Sequence, residues 1–302
     1  FINTVPLVKH LISPESVRGY AKDQPKPTDN DGNFIYKDNR IKVNVVAPHI
    51  LEDMDFFRER AKFYEKNGRY TNITPNPNPH SDYAKFWKEE LRRWKYGLVR
   101  ESDGEWIPGN YYFQLNFAPL LRAEIIAGTK QADRLEGFPY VYDGDYLFYH
   151  YCEQARAMGK HGANLKRRGC GYSVKAADML AKNFILGDSS KAKEKVKSFA
   201  IANEKEYLIK DGILNKFVNV IDWNATHTPW PRIRSLKDSL NDMHWRMGRK
   251  DNQRGVEVGV LNEVMGVTLK NDPQKARGKR GALVLWEEAG KFSDFLTAWK
   301  IA

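Results

Sequence analysis

From residue 173 onward the apolar positions recur first at helical spacing and then in short strand-like runs. Val174, Ala177, Leu180, Ala181 and Phe184 fall on one helical face, which predicts a helix over Ser173–Leu186 stopped by Gly187 and Asp188. Lys197–Ala202 reads as a strand, Glu204–Val220 as a helix and Gly255–Leu269 as two short strands. Gly281–Trp286 reads as a further, buried strand. Strands alternating with helices imply an α/β fold with a mainly parallel sheet flanked by helices.

The pattern upstream is different. Residues 1–80 are irregular, and Asp23–Asn33 and Thr71–Ser81 are rich in Pro, Asn and Asp, as loops are. A short helix is expected between them at about Leu51–Asn67. Ser81 is placed to cap a helix over Asp82–Tyr96, whose Tyr83, Phe86, Trp87, Leu91 and Trp94 share one face and read as packing residues. Another helix is expected over Tyr146–Met158. The aromatics crowded between residues 106 and 151, from Tyr111 to Tyr151, have acidic residues among them, so they read as core rather than as a base-stacking surface. The expected organisation is a helical and irregular N-terminal subdomain over 1–105 followed by an α/β domain over 106–302.

Composition narrows the class. The 302 residues are ample for a buried core, and 41% hydrophobic with 29% charged content is ordinary for a globular chain. No apolar run reaches the roughly 18 residues that span a bilayer. The opening Phe1–Ile12 is too short and interrupted for a signal peptide, and with no Met at its head the chain is expected to be an excerpt of a longer protein. Cys152 and Cys170 give neither a disulfide framework nor a zinc spacing, which suits a reducing cytoplasm. The net charge is +11, and residues 160–302 hold all of the excess, with 27 Lys and Arg against 16 Asp and Glu, while residues 1–159 hold 22 of each. Cations so concentrated suggest a polyanionic partner. Arg246, Arg249, Lys250 and Arg254 are one grouping that would track a phosphate backbone.

Two segments carry candidate chemistry. In the first, Lys166-Arg167-Arg168-Gly169-Cys170-Gly171-Tyr172-Ser173 runs into Val174 and the predicted helix. A phosphate-binding loop has the form G-x-x-x-x-G-K-[ST], with backbone N–H groups and a Lys around the phosphates and the hydroxyl on Mg²⁺. Here Gly171 and Ser173 hold the second glycine and hydroxyl positions, Tyr172 stands at the lysine position and Lys166 at the first glycine. The missing cation is expected from the front of the loop, from Lys166, Arg167 or Arg168. In the second segment, Ala282–Trp286 ends in Glu287 and Glu288. An acid at a strand end can hold the Mg²⁺ shell while its neighbour activates water, so Glu287 is assigned to metal and Glu288 to catalysis. The basic run Lys275–Arg280 precedes it, with Arg277 the first choice for a charge-stabilising arginine.

These residues resemble the large terminase subunits of tailed bacteriophages, the ATP-driven motors that package DNA into procapsids. Some members carry a Gly-Tyr-Ser loop ending with a leading lysine, as in Lys166 and Gly171-Tyr172-Ser173 here. Arg277-Gly278-Lys279-Arg280 running to Glu287-Glu288 also looks like the family's approach to its acidic strand, although the family more often has Asp where Glu287 stands. The resemblance covers about residues 160–292. It implies an additional-strand P-loop NTPase fold and ATP with Mg²⁺ as cofactors. It also implies double-stranded DNA, a portal protein and a small terminase subunit as partners, a homo-oligomeric ring with no membrane, and a place in the host cytoplasm with transient docking on the procapsid. The family's coupling motif and nuclease domain would lie beyond Ala302, so cleavage of DNA is not expected of these residues. Two other readings stay open: a helicase-like DNA translocase, and a non-hydrolysing nucleic-acid-binding module with a decayed phosphate loop.

Overall fold

The computed structural model describes residues 54–102, 104–125, 132–164, 169–187, 195–230 and 234–302. Expectations for Lys166, Arg167, Arg168, Asp188 and the first 53 residues lie outside that set.

A single 3₁₀ turn, Met54–Arg58, leads into α1 (Glu59–Asn67). The first-turn N–H groups of α1 are satisfied from a distance: buried Asn116 accepts from the amides of Arg60 and Ala61 through Oδ1. Helix α2 is Asp82–Tyr96, and Ser81 caps it by accepting from the Ala84 amide at 3.2 Å, as its sequence requires. Of its expected apolar face, Trp87 and Trp94 are buried and Tyr83, Phe86 and Leu91 pack partly against the core. The short ladder of β1 (Leu98–Val99) with β2 (Trp106–Ile107) leads to α3 (Gly109–Phe117), all of whose residues are buried. An antiparallel hairpin, β3 (Leu120–Ile125) with β4 (Ala132–Gly137), then precedes α4 (Asp143–Ala157).

Tyr111, Tyr112, Phe113, Phe117, Phe138, Phe148 and Tyr149 form core as expected, whereas Tyr140, Tyr142 and Tyr151 are exposed.

The second half is an α/β unit. Helix α5 is Tyr172–Leu186 and ends at Gly187. Strand β5 occupies Lys197–Ala202. The single helix expected over Glu204–Val220 is two helices, α6 (Glu206–Ile209) and α7 (Ile213–His227). Gly212 marks the break: a Cβ there would sit 2.2 Å from the Tyr207 carbonyl oxygen, so the chain turns back on itself where only glycine fits. Beyond α7 the chain makes β6 (Lys237–Ser239), β7 (His244–Arg246), β8 (Arg249–Asp251), β9 (Val256–Val258) and β10 (Glu263–Thr268). Strand β11 (Leu283–Trp286) and helix α8 (Phe295–Ile301) complete the order.

The main sheet runs β11-β5-β10-β7-β6. β11, β5 and β10 are parallel to one another, and β7 and β6 add antiparallel at one edge, so the sheet is mixed. Helices flank it. Ala200 and Ala202 of β5, Val264 of β10 and Leu283 and Leu285 of β11 face the cluster built with α5, α7 and α3. Phe199, Ile201, Val284 and Trp286 face the opposite layer, with Ala276 and Ala298 of α8. The four β11 residues are half-buried rather than buried, because among the described residues this strand is the sheet's edge.

No helix among the described residues is long and apolar enough to cross a membrane.

Candidate nucleotide site

The two candidate segments, over a hundred residues apart, meet. The Ser173 hydroxyl donates to Glu287 Oε1 at 2.8 Å. Strand alternation explains the meeting. Glu287 follows Trp286 and so shares the sheet face of Leu283 and Leu285, the face on which α5 lies. The Glu287 amide continues the ladder by donating to the Ile201 carbonyl at 2.8 Å, which fixes the acid at the carboxyl end of the parallel strands. In open α/β sheets that end is where ligands bind.

The described residues in front of α5 carry two glycines in a conformation that anion nests use. Gly169 and Gly171 are both left-handed, with φ of 83° and 66°. Gly171 is the N-cap residue of α5 and has no side chain to bond the first-turn amides; the Val174 N–H donates to the Gly171 carbonyl at 3.1 Å, which leaves the Tyr172 and Ser173 amides uncapped. Gly169 and Gly171 are exposed, and Cys170, Ser173 and Val174 are half-buried.

Tyr172, at the lysine position, packs toward α4. Its ring packs edge-on against Phe148 of α4 at 5.1 Å, and partial burial raises its phenol above the ordinary value.

The loop's cation among the described residues is one the sequence reading missed. Lys175, one turn into α5, is 2% exposed. Its Nζ donates to the Cys170 carbonyl at 2.6 Å and pairs with Asp145 Oδ1 of α4 at 2.7 Å. It also lies 4.8 Å from the centroid of the Tyr172 ring. Burial pushes the Asp145 carboxyl up, and the hydrogen bond and charge of Lys175 draw it back. A signal was present in the sequence: Lys175, Asp178 and Lys182 lie among the apolar positions of α5, and charges in a helix buried on most sides must find partners. Asp178 accepts from Gln114 of α3 at 2.9 Å, and its complete burial pushes its carboxyl well above the usual range, the Gln114 bond and the Lys175 charge opposing the shift.

Glu288 takes a left-handed backbone, φ 52° and ψ 44°, which is uncommon for a residue with a long side chain. Chain alternation therefore stops at Glu288, immediately after the acid that meets Ser173. Arg277 lies in the turn after a 3₁₀ segment, is exposed, and donates to Gln274 Oε1 at 2.8 Å, a local contact and not one with the loop. Of the basic grouping near β8, Arg246 pairs with Glu257 at 2.6 Å and Arg254 with Asp251 at 3.9 Å.

Comparison with protein-family models, with curated proteins and with solved structures gave no match.

Proposed function

We propose that this chain binds Mg²⁺-ATP at the junction of the α5 loop and β11. Hydrolysis there would drive double-stranded viral DNA into a procapsid, the chain being the ATPase part of a large terminase subunit with a P-loop NTPase fold of the additional-strand type. The observation that carries the reading is the 2.8 Å contact between Ser173 and Glu287, which unites the hydroxyl of a glycine-rich loop with an acid at a parallel strand's end.

The donor set suits Mg²⁺, a hard cation that is held by one or two carboxylates together with substrate phosphates. Ser173 Oγ and Glu287 Oε1 are two such oxygens already in contact. Bound there, Mg²⁺ would supply positive charge against the negative charge that develops on the transferred phosphoryl group. Ser173 and Glu287 hold its shell, and the backbone from Gly169 to Val174 surrounds the phosphates. Glu288 orients and deprotonates the attacking water, and Lys166, Arg167 and Arg168 bring positive charge to the front of the loop. Arg277 completes the charge stabilisation only if its turn moves toward the phosphates, since its present bond is to Gln274. The partners follow the same reading: a portal protein, a small terminase subunit and further copies in a ring, in the host cytoplasm and docked transiently on the procapsid.

The test is Glu288→Gln. Removing a general base typically lowers turnover by roughly 10²–10⁴-fold. The variant should retain Mg²⁺-ATP and lose hydrolysis; a helicase-like translocase shares that outcome and differs in unwinding duplexes. Equal ATP binding and no hydrolysis by either form would leave a non-hydrolysing module. DNA binding through several phosphates should fall steeply with added salt, and salt-indifferent binding would argue against the packaging partner.

A further inference from the structure

The loop's polarity is set from beneath. Lys175 Nζ has three donors: two are used by the Cys170 carbonyl and by Asp145, and the ammonium also faces the Tyr172 ring. A peptide is planar and trans, so its C=O and N–H point in opposite directions. With the Cys170 carbonyl drawn inward to Lys175, the Gly171 N–H of the same peptide is aimed outward, at the exposed face of the loop. We infer that Lys175, held by Asp145, is a positioning residue that locks this peptide with its N–H outward, so that the loop presents a donor to a nucleotide phosphate. The inference rests on the nucleotide reading above and extends it to residues outside the loop.

The alternative peptide orientation shows why a cation is needed. A flip of the Cys170–Gly171 peptide turns ψ of Cys170 and φ of Gly171, and a glycine accepts either sign of φ, so Gly171 itself does not prevent it. Flipped, it would aim a carbonyl oxygen at the phosphate side and repel an anion. Lys175 opposes the flip, because flipping would strip a buried ammonium of one of its two charge-assisted bonds. Asp145 opposes it in turn by keeping Lys175 beneath the loop, where an unpaired ammonium would be drawn toward solvent or the nucleotide. Stability alone does not account for the pair, since buried ion pairs are often no better than apolar replacements. Asp145 belongs to α4, whose Phe148 also braces Tyr172. The device therefore couples the loop to the helix that precedes it in sequence.

The experiment measures Mg²⁺-ADP binding by calorimetry for the full chain and for the double variant Lys175→Met/Asp145→Asn. Removing both charges together leaves neither member of the ion pair without its partner. The double variant should keep its fold by circular dichroism and bind at least about tenfold more weakly. Equal binding by folded parent and variant would overturn the inference and leave the nucleotide reading intact. A folded parent that does not bind Mg²⁺-ADP would overturn both.

A second measurement needs no variant. In the parent labelled with ¹⁵N-glycine and ¹³C-carbonyl cysteine, Mg²⁺-ADP should move the Gly171 amide resonance strongly and leave the Cys170 carbonyl nearly unmoved. A comparable shift of that carbonyl, or an unmoved Gly171 amide in a binding-competent protein, would overturn the inference.

Discussion

Two carboxylates, Glu90 and Glu287, sit in opposite kinds of surroundings. Glu90 is 1% exposed and accepts from Tyr112 at 2.6 Å, with Arg60 at 3.2 Å and Arg93 at 3.4 Å completing its shell. Nearby, Asn116 uses both ends of its amide, accepting two backbone N–H groups and donating to the Phe57 and Tyr112 carbonyls. Glu287 is half-buried and takes a serine hydroxyl beside a loop with left-handed Gly169 and Gly171 and a left-handed Glu288. One region commits its polar groups to the fold. The other brings a serine hydroxyl and a carboxylate together at the half-buried edge of the sheet, outside the core.

That contrast can be broken from either side. Glu90→Ala should give the largest loss of stability, about 3–5 kcal/mol, because the buried Tyr112 hydroxyl would lose its acceptor and the half-buried Arg60 and Arg93 would keep only Glu59 and Glu89. Denaturant unfolding measures it, and a loss below about 1 kcal/mol would place Glu90 among solvated pairs.

Next comes His150, on α4, which packs on Trp106 and shares a hydrogen bond with its carbonyl at 3.1 Å. Burial lowers its pKa from 6.5 to about 4, the carbonyl contact offsetting part of that. The unfolded chain then binds the extra proton first, so stability is full above about pH 6.5 and falls as pH drops toward about 4, by roughly 3 kcal/mol in all. His150→Gln should flatten that slope, and an unchanged slope would contradict it.

The smallest effect has the opposite sign. Glu288→Gly should raise stability by about 1 kcal/mol by relieving a left-handed backbone, while abolishing ATP turnover. A stability loss would mean that Glu288 is held for structure and not for chemistry.

How far the sequence carried these conclusions depended on whether a signal was local. The Ser81 cap, the Lys197–Ala202 strand and the α5 periodicity are local and were legible as they stand. So was the pairing of a glycine-rich loop with an acidic strand, because both halves are short motifs. The antiparallel strands β6, β7 and β8 escaped, since three-residue segments such as Lys237–Ser239 have no period to read. The exposure of Tyr140, Tyr142 and Tyr151 escaped because a count of aromatics does not say which ones the core has room for. Lys175 and Asp145 escaped for a different reason. Their meeting across thirty residues is a tertiary fact, and the loop's own lysine position is held by Tyr172.

The most direct measurement is calorimetric titration of the chain and its Ser173→Ala variant with ATP, with Mg²⁺ present and with Mg²⁺ chelated. If Ser173 and Glu287 hold Mg²⁺-ATP, binding to the parent is saturable and is weakened by about tenfold in the variant when Mg²⁺ is present, with that difference lost on chelation. Absence of binding by the folded parent, or binding indifferent to Ser173→Ala in Mg²⁺, would contradict that assignment.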